Sequence, residues 1–295
     1  RLLEFIALLL VLGVFVFVHG VLPPLAARGV HTTDASLSAR TLGSGAATIY
    51  IAAAIGRLLM EAAELRMPGE ATASVLPGIS DSSWGHGWVV GVVGAGLVVI
   101  GLLLSRRRIA AGTPIALTGA LAMALSPALT GHAASAQWFV ASVTLDGLHV
   151  ASVGSWLGTL AVVVLIGIPA MARVKDGNAD AAVSALVNSF HPIALLSAPM
   201  AVFAGLGSSA LRLGSLAALT SSRYGSVLIW KLGAVALVAA MGTWNSTRAR
   251  KRLGTPSATQ GIRWTAATEV ILAVLVLWVT TDLTATPAPS EMVAP

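Results

Sequence analysis

The chain has 295 residues, of which 56% are hydrophobic and only 10% are charged, and its mean hydropathy is +0.85. Soluble domains carry about 25% charged residues, so this composition excludes an ordinary water-soluble domain and makes the lipid bilayer the expected environment. The net charge of +6 does not indicate nucleic-acid binding, because the basic residues lie in short loops between apolar segments, where they orient a membrane protein. The absence of cysteine excludes disulfides and thiolate metal sites.

Eight apolar segments recur along the chain, and each is long enough to cross a hydrocarbon core about 30 Å thick as a helix. We therefore predict an all-α integral membrane protein, a bundle of about eight transmembrane helices. Prolines 192 and 199 predict a kink in the sixth span. The predicted spans are residues 2–22, 45–65, 87–105, 114–130, 143–171, 192–211, 225–245 and 264–283.

The distribution of Lys and Arg predicts how the bundle is oriented. Loops after spans one, three, five and seven hold twelve of these residues, whereas loops after spans two, four and six hold three. Basic loops stay in the cytoplasm, so we expect both termini outside and a multi-pass protein of a bacterial cytoplasmic membrane. No loop can hold a separate domain. We divide the chain into residues 1–112 with helices 1–3, residues 113–289 with helices 4–8, and a disordered tail at 290–295.

A group of metal-binding residue types lies near the predicted outer face, at the start of span five. Asp146 and His149 are spaced i, i+3 and share one helical face, and a short loop joins them to His132. Imidazole nitrogen suits copper, zinc, iron and nickel. We expect these three residues to form a metal site, in which Asp146 is either a ligand or the acceptor that orients His149.

Weaker candidate ligands lie elsewhere. Near the outer face they are Glu61, Glu64 and His86, and on the sixth span they are Met200 and His191. Ordinary structural roles compete with these assignments. The tryptophans flanking His86 are typical of an interfacial aromatic belt, and a methionine in a span is more often a packing residue.

Three further features of the spans have simple structural interpretations. Arg57 lies four residues before Glu61, so the two charges could neutralise each other. Lys231 in span seven could extend its amine outward to the interface. Gly154 and Gly158 form a GxxxG pair, which predicts the close approach of a neighbouring helix.

Several short motifs in the second half of the chain carry a resemblance to a known family. They are LTGHAA at 129–134, LDGLHV at 145–150 with GSWLG at 154–158, LRLGSL at 211–216 leading to Lys231, and the ending 284–289 after a span containing Glu269. In order and spacing they resemble the copper resistance D (CopD) family over residues 113–289. His191 is a departure, because it stands where the family pattern has serine after phenylalanine.

The resemblance implies eight membrane helices, copper as the bound ion, and a partner, a small outer copper-binding protein of the copper resistance C type. Our leading hypothesis is copper transport across the cytoplasmic membrane, with ion capture by His132, His149 and Asp146. One alternative is a haem-binding redox protein, because paired histidines on facing helices can hold haem iron. Another is a membrane protein that delivers copper for enzyme assembly without transport. The sequence shows no phosphate-binding loop and no nucleophile–base pair, so we do not expect an enzyme.

Overall fold

The computed structural model describes residues 1–131, 138–174, 179–249 and 256–289. These residues form helices and contain no strand, and eight of the helices are long and apolar enough to cross a membrane. The prediction of an eight-helix membrane bundle is confirmed. The spans are α1 Leu2–Ala26, α2 Thr33–Leu65, α3 Ser83–Arg106, α4 Gly112–Leu129, α5 Phe139–Met171, α6 Ala179–Leu213, α7 Arg223–Thr247 and α8 Trp264–Ala285.

Two helices extend well beyond their predicted spans. Helix α2 begins at Thr33 rather than at residue 45, and α6 begins at Ala179 rather than at residue 192. Hydropathy marks the part of a helix that lipid surrounds, whereas backbone hydrogen bonding continues into polar residues that can face water. Helix α6 runs without interruption through both Pro192 and Pro199.

Short connections make consecutive helices antiparallel, so the bundle has two ends. We call the end where α1, α3, α5 and α7 begin the first end, and the opposite end the second end. Helix α1 lies at the centre and packs against α2, α5 and α8. One apolar core joins α1 to α2, α3 and α4, and another joins the later part of α1 to α5, α6, α7 and α8.

Glycines and alanines bring α3 and α4 together, and these two helices have the most extensive contact in the described structure. A Cβ added to Gly101 would lie 2.4 Å from the Ala116 nitrogen, and one added to Gly119 would lie 2.4 Å from the Gly94 oxygen. Helix α4, which the sequence analysis grouped with the C-terminal region, therefore shares a core with the first three helices.

A second close approach joins α1 to α5. A Cβ on Gly158 would lie 2.0 Å from the Leu9 oxygen, and one on Gly13 would lie 2.1 Å from the Gly158 carbonyl carbon. The segment Gly154–Gly158 is a π-helical turn within α5. The prediction that this GxxxG pair admits a neighbouring helix is confirmed, and the neighbour is α1.

Candidate functional site

A cavity of about 130 Å³ lies among α1, α5, α6, α7 and α8. Its walls are largely apolar, with Phe5 from α1 and Trp156 from α5 among them. The ionisable side chains in its lining are His149 from α5 and Lys231 from α7. An apolar cavity with a few convergent polar groups is the usual form of a small-ligand or ion site.

The imidazole of His149 is held by the backbone of α6. Its Nδ1 lies 2.8 Å from the Ala201 carbonyl oxygen. A carbonyl oxygen can only accept, so Nδ1 carries the hydrogen and the neutral ring keeps its lone pair on Nε2. Histidine ligands of metals commonly donate their second ring N–H to a backbone carbonyl in this manner. The ring is therefore held in the tautomer that a metal ligand needs.

Gly205 provides the space for this ring on α6. A Cβ added there would lie 2.9 Å from both Cε1 and Nδ1 of His149. The Gly205→Ala substitution is therefore expected to displace the ring, break its bond to Ala201, and lower copper affinity at least about tenfold, equivalent to losing about 1.4 kcal/mol. Copper titration of the purified variant measures this loss.

The neighbouring Gly207→Ala substitution is the matched control for this test. Its Cβ would meet the flexible Leu145 side chain at 3.2 Å, which can yield without moving His149. We expect wild-type copper affinity for Gly207→Ala. Equal affinities in the two variants would show that the position of His149 does not matter.

Asp146 is tied to α6 one helical turn before His149. Ser208 Oγ donates to its Oδ1 at 2.6 Å, and Arg212 donates to Oδ2 in a short ion pair. The partner of His149 Nδ1 is thus the Ala201 carbonyl and not the Asp146 carboxylate. Because Arg212 offsets its charge, Asp146 would have to share or leave this pair in order to bind a metal.

The remaining candidates do not gather around the cavity. Met200 is on the same helix as the cavity-lining Ala201, but its side chain is 38% exposed and does not line the cavity. His191 lies ten residues before Ala201, a separation of about 15 Å along a helix. His132 falls in 132–137, outside the described residues. Within the described ranges, no group of three or more His, Asp or Glu side chains is close enough to hold a metal ion.

The candidates of the first end lie apart from the cavity. Glu61 lines a shallow groove of about 340 Å³ together with Trp84, whereas Glu64 and His86 are exposed. Burial lowers the pKa of Arg1, and the nearby charge of Arg57 lowers it further. The Glu61 carboxylate raises the same pKa. Because the two carboxylates and His86 lie away from the cavity, they are candidates for an entrance only.

Arg57 has a partner that sequence spacing did not reveal. Its Nη1 donates to Glu4 Oε2 at 2.8 Å, so the described ion-pair partner of Arg57 is Glu4 and not the Glu61 that the i, i+4 spacing suggested. The guanidinium also lies 5.0 Å from the ring centroid of Trp84. The pair is largely buried, and Glu4 interrupts the otherwise apolar start of α1. The sequence contained one signal for this ion pair, the acidic Glu4 inside an apolar span. An ionisable group inside a membrane needs a partner.

Comparison with known proteins agrees with the motifs of the second half of the chain. The sequence model of the family "Copper resistance protein D" (CopD) matches residues 184–283, which run from α6 through most of α8. Over these residues the chain is similar to the CopD family. The match includes LRLGSL, Lys231 and Glu269, so the resemblance read from the sequence is confirmed.

The chain is also similar to a curated protein, the copper transport protein CutJ of Bacillus subtilis (strain 168). The two are 28% identical over 167 residues, which are 57% of this chain and 29% of CutJ. The chain thus spans less than a third of the length of this relative. No solved structure matches. The CopD match, this relative and the eight apolar helices together support a copper-related function in a membrane.

Proposed function

We propose that this chain moves copper across a bacterial cytoplasmic membrane and that His149 is a ligand for the ion inside the bundle. The observation that carries this proposal is the His149 ring, which lines an internal cavity while Ala201 holds its Nδ1–H. The CopD match and the relative named as a copper transport protein support copper as the ion. The function proposed is transport, with no catalytic reaction.

We propose that the route begins at the first end, which the loop charges predict to lie outside the cell. His149 lies ten residues after the start of α5 at Phe139, a depth of about 15 Å along the helix. His132 belongs to the segment that joins α4 to α5. We propose that His132 captures the ion, with Glu61, Glu64 and His86 around the entrance, and that copper then passes to His149. Met200 and His191 on α6 are candidates for the later part of the route.

Asp146 lies between these two imidazoles in the chain and is paired with Arg212. It contributes by holding α5 against α6, and it becomes a direct ligand only when Arg212 releases it. Lys231 works against the ion, because an ammonium group in the same cavity repels a cation. We therefore expect copper to bind more weakly than it would bind to two imidazoles without an ammonium group nearby.

Metal content and copper affinity of the purified protein test the proposed site. Wild type is expected to hold about one copper ion, and the His132→Ala/His149→Ala double variant is expected to lose it, because neutral imidazole supplies the proposed ligands. The Lys231→Met variant, which removes a cation from the cavity, is expected to bind copper more tightly. Equal binding by wild type and the double variant would overturn the assignment.

Copper flux into proteoliposomes then separates transport from its rivals. Flux that disappears in the double variant supports the proposal. Copper binding without flux would favour a protein that delivers copper to an enzyme under assembly. A Soret absorbance band that depends on His149 would favour haem. A colourless protein that moves copper would exclude both alternatives.

A further inference from the structure

A buried carboxyl group at the second end has no role in the proposed copper site. Glu269 lies on α8 with only 4% of its surface exposed. Asn245 on α7 donates its Nδ2 hydrogen to Glu269 Oε1 in a short hydrogen bond. No Lys or Arg side chain that the structure describes pairs with Glu269, and a Cβ added to Gly242 would lie 3.7 Å from its Oε2. Ionisable groups at such depth are costly and are commonly part of proton or ion pathways.

The hydrogen-bonding partner of Glu269 is itself incomplete. The Asn245 Oδ1 atom is buried and has no hydrogen-bond partner among the described residues. An ionised carboxylate can only accept, so it cannot satisfy this oxygen. A protonated carboxyl group has one O–H donor and one carbonyl acceptor. It can donate to Asn245 Oδ1 and accept from Nδ2 at the same time, which joins acid and amide by two parallel hydrogen bonds.

A single added proton therefore resolves two difficulties together. It removes a negative charge from an apolar environment, and it provides a hydrogen for Asn245 Oδ1, which has no partner among the described residues. Loss of the proton would reverse both effects. Within the part of the chain that the structure describes, it would leave a buried carboxylate with one amide donor and an amide oxygen with no donor. The paired groups can thus take up one proton and form a second hydrogen bond, and they lose that hydrogen bond when the proton leaves.

Among the side chains that the structure describes, the other charged groups on the helices around α8 lie away from this pair. Helix α8 packs against α1, α5, α6 and α7. Glu4, Asp146 and Arg223 on those helices have ion-pair partners elsewhere, and Lys231 precedes Asn245 by fourteen residues, about 21 Å along the helix. His19 and His191 lie in the halves of α1 and α6 that are nearer the second end. The sequence between Asn245 and Glu269 also contains five basic residues, Arg248, Arg250, Lys251, Arg252 and Arg263.

We propose that Glu269 and Asn245 form a proton-binding site at the second end of the bundle, in which Glu269 is a neutral acid in its resting state. We further propose that this proton is exchanged with water as copper moves, a step that rests on the proposed copper transport. Uptake converts the carboxylate to the acid, and release returns the proton to water at the second end.

Infrared spectroscopy tests the proton site without copper. Wild type at neutral pH is expected to show the carbonyl stretch of a protonated carboxylic acid, shifted in D₂O, and Glu269→Gln is expected to lack it. Glutamine preserves both hydrogen bonds, so the fold is retained. Asn245→Leu removes both bonds and is expected to move the band.

The control is Asp34→Asn, an exposed carboxylate at the same end, which should leave the band unchanged. Identical wild-type and Glu269→Gln spectra would overturn the site.

Proteoliposomes that contain a pH-sensitive dye test the exchange. Copper entry is expected to change the internal pH for wild type and Asp34→Asn, but not for Glu269→Gln. Copper flux through wild type without any pH change would overturn the exchange. If wild type moves no copper at all, the proposed transport fails and the exchange fails with it. The infrared comparison still decides whether Glu269 holds a proton.

Discussion

Replacing Gly158 by alanine is expected to disrupt the contact between α1 and α5 and to cause a large loss of stability. The new Cβ would lie 2.0 Å from the Leu9 oxygen, a backbone atom that cannot move by rotating a side chain. Overpacking in a core costs about 1–3 kcal/mol, and a clash between two backbones belongs at the upper end or beyond. The thermal unfolding temperature in detergent, followed by helical circular dichroism, measures the loss.

The matched control is Gly56→Ala on α2, where a Cβ would meet nothing within 4 Å. Alanine has a higher helix propensity than glycine, by about 0.8–1 kcal/mol in water, so this variant should be neutral or slightly more stable. An unfolding temperature for Gly158→Ala equal to that of Gly56→Ala would show that α1 and α5 do not cross as closely as the structure places them.

Replacing Asp146 by asparagine is expected to destabilise the bundle by about 3 kcal/mol, because it leaves Arg212 charged inside the protein without its carboxylate. The two side chains are only 14% and 22% exposed, so water offsets little of this loss. Arg212→Met should cost a similar amount by stranding the carboxylate. The double variant should be more stable than the sum of the two losses predicts, since it leaves neither charge unpaired.

The exposed pair Arg223–Asp282 is the control for this cycle. Its atoms are 3.6 Å apart and its side chains are 77% and 53% exposed, so Asp282→Asn should change stability by less than about 1 kcal/mol. Strictly additive losses at Asp146 and Arg212 would contradict the ion pair. Copper affinity of Asp146→Asn, measured on the fraction that remains folded, then shows whether the carboxylate also acts as a ligand.

The sequence alone determined the class of fold, because the solvent imposes it. A helix must satisfy its own backbone hydrogen bonds in lipid, so apolar segments of sufficient length identify the spans wherever they occur. All eight predicted spans overlap the helices of the structure. The Gly154 and Gly158 pair was equally readable, since a missing side chain on one helical face signals a close neighbour. The motifs that resemble the CopD family could also be read from the sequence, because each is a short run of consecutive residues.

Which polar groups meet depends on the tertiary structure. The partners of Asp146 lie 62 and 66 residues further along the chain, and the partner of Arg57 lies 53 residues before it. Such pairings depend on how each helix is rotated about its axis, and hydropathy does not specify that rotation when most faces are apolar. For the same reason the sequence did not show that Lys231 and His149 line one cavity, that Met200 lies outside it, or that Asn245 reaches Glu269.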